Sequence, residues 1–168
     1  MLSAAACGKL ASDTTKSGGS HLAFGESHSG RLSAGVRFVL PPGPQWIFVR
    51  GAQVDIRLRV DSGASETYVD HRWTAPEFVF VDGGSATLHV QAAHVSTSSS
   101  SFEILVRRAQ PGAGALYAEL EEAVTAGRAP DAIVRAEGVG QLIAVAARLE
   151  ADGEIRLAAF ARVEAAIA

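Results

Sequence analysis

The chain has 168 residues, 48% of them hydrophobic, with 15 basic against 18 acidic side chains and a formal net charge of −3, which suits one or two small soluble domains. That balance leaves no basic patch strong enough to hold phosphates, so nucleic acid is not an expected partner, and no window approaches the roughly 18 uninterrupted apolar residues of a membrane helix. One cysteine forms no internal disulfide, and a metal site would have to be built from five histidines and carboxylates alone.

Residues 1–18 read as a flexible leader. Lys9 and Lys16 are the only lysines of the chain, and no periodicity follows Leu10. Small residues before Cys7, with a polar tether after it, resemble the cleavage box of a bacterial lipoprotein, although only six residues precede Cys7 where a secretion signal carries an apolar run of about 7 to 15. Lipidation at Cys7 would be the chain's one attachment to a membrane and would place it in the bacterial cell envelope or periplasm; the alternative is the cytoplasm.

From residue 19 to 110 the pattern has period two with short turns. A first short strand is expected near Leu22–Gly25, then one over 32–40 that ends at Pro41, Pro42 and Pro44, where the ladder cannot continue. Residues 45–50 read as a short buried strand. The run Val54, Ile56, Leu58 and Val60, alternating with Asp55, Arg57 and Arg59, is the cleanest half-buried strand. Residues 68–73, 77–82, 86–92 and 102–107 continue the grammar, with a hairpin turn expected at Asp82-Gly83-Gly84. About eight strands at this spacing predict an antiparallel β-sandwich.

Beyond Pro111 the pattern turns helical. Leu116, Leu120, Ala123 and Val124 stack on one face, and Gly127 falls where a left-handed cap would end that helix. Pro130 opens a second segment, with a kink or break expected at Gly138 and Gly140; Asp152-Gly153 turns into a last helix carrying Ile155, Leu157, Phe160, Ala161 and Val163. Two to four helices over 111–168, the last pair an αα-hairpin, complete an α+β fold. Small residues at the crossings and few large ones suit the start of a helical solenoid. Such a segment would leave an apolar face near Leu157, Phe160 and Ile167 for a protein partner or another copy. The charge separates too: eight acids and eight arginines over 19–110, nine acids and five arginines over 111–168.

Catalytic patterns are not found. Gly25 to Gly30 is one residue too long for the Gly-x-Ser-x-Gly elbow, Cys7 lies in the leader, Lys16-Ser17-Gly18 lacks a Ser-x-x-Lys partner, and the glycine pairs lack the lysine of a phosphate loop. No enzyme, catalytic residue, cofactor or resident metal is therefore expected. Cross-strand metal pairs involving His89 with Asp82, or His71 with Asp70, are more simply outward polar residues of a half-solvated sheet. Calcium at Asp61 and Asp82 competes with ordinary aspartate turn chemistry. Trp46 reads as core. Trp73, at a strand end beside Pro76, reads as a candidate ligand contact.

The strand runs Val54–Val60, Glu77–Phe80, Thr87–Val90 and Ser101–Arg107, followed by helix from Ala115 to Arg128, resemble the pre-peptidase C-terminal-like β-sandwich that precedes tetratricopeptide-like repeats in bacterial CHAT-protease-type proteins. The resemblance covers about 30–128 and implies an accessory binding or folding module attached to a helical scaffold; no protease activity comes with it. The expected function is a non-enzymatic interaction or assembly module, envelope-associated or extracytoplasmic, docking through its C-terminal helices. The alternative is an accessory domain that binds carbohydrate or peptide for a hydrolase or protease system.

Overall fold

The computed structural model describes residues 19–32, 35–52, 54–63, 65–70, 76–93 and 100–168. Nine strands precede three helices: β1 (Ser20–His21), β2 (Ser27–Leu32), β3 (Val36–Val39), β4 (Gln45–Ala52), β5 (Ile56–Asp61), β6 (Glu66–Val69), β7 (Glu77–Val81), β8 (Thr87–Ala92), β9 (Ser100–Arg108), α1 (Ala113–Gly127), α2 (Ala132–Ala151) and α3 (Ile155–Ile167). The strands form a five-stranded sheet in the order β1-β3-β8-β5-β6 and a four-stranded sheet in the order β2-β9-β4-β7. β1 runs parallel to β3, whereas β2 with β9, β3 with β8, β5 with β6 and β5 with β8 pair antiparallel. The chain is thus an α+β fold with a β-sandwich.

Period two explains which side chains meet. In β5 Ile56, Leu58 and Val60 are buried while Arg57 lies exposed, and the register sets Val60 opposite Leu88 and Leu58 opposite Val90. The same β8 residues meet Phe38 and Val36 of β3 on their other side. Each such apolar side chain removed from water contributes about 1.5–3 kcal/mol. From the second sheet, Phe102 meets Phe38 edge to face at 6.0 Å.

Two turns differ from the sequence expectation. Residues 32–40 do not make one strand: β2 ends at Leu32 in the four-stranded sheet and β3 begins at Val36 in the other. Residues 27–31, assigned to no strand from the sequence, form β2 with Leu32, where His28 packs edge-on against Phe38 at 5.0 Å and Gly30 lies opposite Phe102, whose ring leaves no room for a Cβ. The Asp82-Gly83-Gly84 turn joins β7 to β8, which lie in different sheets, so it is a crossing between layers and not a hairpin. Both glycines have positive φ, 126° and 83°, a region that L side chains avoid.

The chain divides into two compact units, one running to Val79 with Gly83–Arg107, the other comprising Phe80–Asp82 with Arg108–Ala168. In the second unit Phe80 lies over Gly114 and beside Tyr117. α1 buries Leu116, Leu120, Ala123 and Val124, as its spacing dictates. Gly127 is not a left-handed cap: it stays in the helix, and Arg128 follows at φ −97°. The residue that the close crossing of α1 and α2 requires to be glycine is Gly138, where an added Cβ would stand 2.2 Å from the Gly127 nitrogen. Gly138 and Gly140 accordingly do not break α2, which runs 20 residues. Asp131 caps its start, accepting from the backbone N–H groups of Ile133 and Val134 at 2.8 and 3.0 Å. Gly153, at φ 79°, ends α2 with the Glu154 N–H on the Leu149 carbonyl. Among the described residues no helix is long and apolar enough to cross a membrane.

Candidate functional site

The last helix is apolar on both sides. Its inner face buries Leu157, Ala158 and Ala161. At 100° per residue, Ile155, Ala159, Val163, Ala166 and Ile167 share an arc of about 120° on the other side, with Arg156 inside that arc between Val163 and Ile167 and Arg162 just beyond its edge, and all seven are exposed. The inner half is buried, whereas the outer half, with its apolar side chains and Arg156 among them, faces solvent. α2 repeats the pattern, with Gly138, Leu142, Val145, Ala146 and Leu149 inward and Ile133 and Ile143 outward at 73% and 59% exposure. Of the seven exposed large hydrophobic residues among the described ones, six lie on α2 and α3 and the seventh is Tyr68.

This corrects the membership of the apolar face expected near Leu157, Phe160 and Ile167. Leu157 is fully buried and Phe160 half-buried, while Ile167 is 65% exposed. Leu157 stands about 80° round the helix from Ile167, on the side that α3 turns to its own bundle, and Ile155 and Val163 take its place outside.

Charges in this unit serve as staples between helices. Arg148 pairs with Glu119 and Arg162 with Glu150. The most buried pair joins Arg128, just after α1, to Glu164 of α3: Arg128 Nε donates to Glu164 Oε2 at 3.0 Å and Nη2 lies 2.8 Å away, with the Glu164 side chain only 8% exposed. The groove lined by Glu119, Glu122, Gln141, Ala144, Val145 and Arg148 measures about 210 Å³, short of the roughly 300–1,000 Å³ of small-molecule sites.

The sandwich offers a different surface. The outward residues of the five-stranded sheet form cross-strand rows: Arg37, His89, Arg59 and Tyr68 in one, Thr87, Asp61 and Glu66 in the next. Arg59 Nη2 lies 3.1 Å from His89 Nε2 and 3.5 Å from Glu66 at its Nη1; the Tyr68 hydroxyl donates to Glu66 at 2.9 Å. Burial, then the positive charges of Arg59 and Arg37, push the His89 imidazole below its ordinary range, so it stands neutral beside its arginines. His89 is therefore tied to Arg59, not to Asp82. Asp61 accepts from the Gly63 N–H at 2.8 Å, the turn chemistry that aspartate before glycine is expected to supply.

The carboxylates that the fold gathers are others. Asp55, Asp70 and Glu77 each place an oxygen within 4.8 Å of the other two, a set able to ligate a hard cation. Arg57 already forks onto Asp70 Oδ2 at 2.9 and 2.7 Å and supplies a positive charge there. No spacing pattern announces this trio, since Asp55 precedes β5, Asp70 follows β6 and Glu77 opens β7; only strand topology joins them. Cys7, His71 and Trp73, singled out from the sequence, lie outside the described residues.

No protein-family model matches the chain, and no curated protein matches it. Among solved structures, it is similar to the pre-peptidase C-terminal domain of a collagenase from Bacillus anthracis, with a TM-score of 0.43 and 11% identity, over 52% of this chain and 92% of that one.

Proposed function

We propose that the protein is a non-catalytic interaction module that docks another polypeptide on the outer apolar face of α3. The observation that carries this is the exposed set Ile155, Val163 and Ile167, on a helix whose opposite face is already committed to its own core. Apolar side chains are concentrated on one element, with Arg162 at the edge of their arc and Arg156 within it between Val163 and Ile167, a mixed apolar and charged surface of the kind found at non-obligate interfaces. The matching occupant is an apolar helix face of another protein, in the manner of one helical pair stacking on the next.

The alternative, a sandwich that binds a carbohydrate or peptide, draws on the open sheet face, where Tyr68 is 61% exposed amid hydrogen-bonding side chains. Replacing Ile155, Val163 and Ile167 together by serine separates the two. None of the three belongs to the core, so circular dichroism should stay native. Docking on α3 predicts that the wild-type protein migrates in a larger complex in host extract, that the variant does not, and that Tyr68→Ala does. The opposite pattern would move the binding surface to the sandwich.

A further inference from the structure

We propose that Arg37, His89 and Gln91 form a binding site for an oxyanion, the carboxylate or sulfate group of an acidic ligand, on the open face of the five-stranded sheet. Strand register assembles it. Arg37 of β3 stands opposite His89 of β8, and Gln91 follows two residues further along β8. Leu88 and Val90 turn into the core, so His89 and Gln91 turn outward with Arg37. Side chains directly opposite start about 5 Å apart and diagonal ones about 7–8 Å apart, close enough for all three to reach one small group.

The charges of this face are unevenly matched. Arg57 forks onto Asp70, and Arg59 pairs with Glu66. The acids of the face, Asp61, Glu66 and Asp70, all lie on or directly after β5 and β6. On the β3–β8 side no carboxylate joins the two rows. Arg37 is exposed and has no ion-pair partner among the described residues.

Two glycines shape the patch. A Cβ on Gly19 would stand 3.3 Å from the Arg37 Cγ, and one on Gly35 would stand 3.1 Å from the Gln91 Cγ. Both are tighter than ordinary contact, so the stems of Arg37 and Gln91 lie along the sheet over positions that carry no side chain. Their freedom is restricted before a ligand arrives, which lowers the entropy lost on binding. Arg59 Nη2 lies 3.1 Å from His89 Nε2. Because arginine only donates, that nitrogen of the neutral imidazole accepts and the other ring nitrogen keeps its N–H. Guanidinium, imidazole and amide N–H groups together complement the lone pairs of an oxyanion.

An anion bound here also acts on His89. The charged groups whose fields reach its ring are Arg59 and Asp61 of β5, Arg37 of β3 and Glu66 of β6. His21 of β1 is exposed and pairs in register with Val39, beyond Arg37, and Tyr68 of β6 lies beyond Arg59 in the row. An added negative charge opposes the two arginines and favours the imidazolium, so anion binding is linked to proton uptake at this residue.

NMR titration of the full chain with sodium sulfate at constant ionic strength tests the site. Arg37, His89 and Gln91 should shift saturably, with a dissociation constant on the order of 10 mM or tighter, at least about tenfold tighter than at Arg31, an exposed arginine of β2. The titration midpoint of His89, read from its own ring resonances, should rise by about half a unit or more at saturation, and sulfate should bind about threefold tighter at pH 5.5 than at pH 7.5. Arg37→Gln should lose most of the binding with its melting temperature unchanged, since the side chain is exposed. Glucuronate run beside sulfate distinguishes a carboxylate from a sulfate source, and binding of either that Arg37→Gln removes supports the site. Equal shifts at Arg31 and Arg37, an unmoved His89 midpoint, or uncharged glucose binding as well as glucuronate would overturn it. The site uses none of the residues of α3, so its failure would leave the proposed docking standing.

Discussion

Gly138 and Gly140 sit in one helix, two residues apart, and the same substitution should act on them with opposite sign. At Gly138 an added Cβ would stand 2.2 Å from the Gly127 nitrogen, 2.5 Å from the Ala126 carbonyl carbon and 2.8 Å from the Gly127 Cα. Ordinary contacts begin near 3.4 Å, so the two helices must separate locally by about 1 Å. The opposing atoms are backbone, and no rotamer change relieves them. Overpacking of this kind costs about 1–3 kcal/mol, at the upper end where only backbone can yield, and the helix propensity of alanine returns about 1 kcal/mol. Gly138→Ala should therefore lose about 2 kcal/mol. Gly140→Ala, with open space around it, should gain about 1 kcal/mol. At roughly 2–4 °C per kcal/mol for a chain of this size, the melting temperature should fall by about 4–8 °C in the first variant and rise by about 2–4 °C in the second. Circular dichroism melts at low micromolar concentration read both. A Gly138→Ala protein as stable as wild type would refute the close crossing of α1 and α2.

Removing one partner of the Arg128–Glu164 pair strands the other, and with Glu164 almost fully buried Arg128→Ala should cost about 2 kcal/mol in chemical denaturation. The double variant Arg128→Met with Glu164→Leu should recover much of that loss; equal stability of Arg128→Ala and wild type would show the pair to be inert. His89 titrates below its ordinary value of 6.5, so the unfolded chain takes up its proton first. Its contribution to stability is complete above pH 6.5 and is lost as pH falls through the lower folded value. Stability of the wild-type protein should therefore decline in that window more steeply than that of His89→Gln; identical pH profiles would mean that neither burial nor the charges of Arg59 and Arg37 bear on the imidazole.

Legibility in the sequence followed how local the cause of each feature is. β5 could be read from Ile56, Leu58 and Val60 because alternation alone orients it, and α1 from Leu116, Leu120 and Val124. β2 could not, since what buries its inner side is the ring of Phe102, more than 70 residues away, acting on a histidine and a glycine that carry no hydrophobic signal. Gly127 and Gly138 look like helix breakers until the crossing of α1 and α2 places them together. The turn at Gly83-Gly84 has hairpin chemistry, yet its strands enter different sheets, a fact that no dipeptide encodes. That the last helices carry an apolar outer face was legible from their composition. Its membership was not: Leu157 and Ile167 lie on the same chain segment, and only the packing of α3 decides which of them turns inward.

A photo-reactive residue placed at position 163 in living host cells tests docking on α3 most directly. Val163 is 58% exposed in the middle of the proposed face, and the account predicts a discrete adduct with one other protein, absent when the probe sits at position 68 on the sandwich. No adduct at 163, with a clear one at 68, would contradict it.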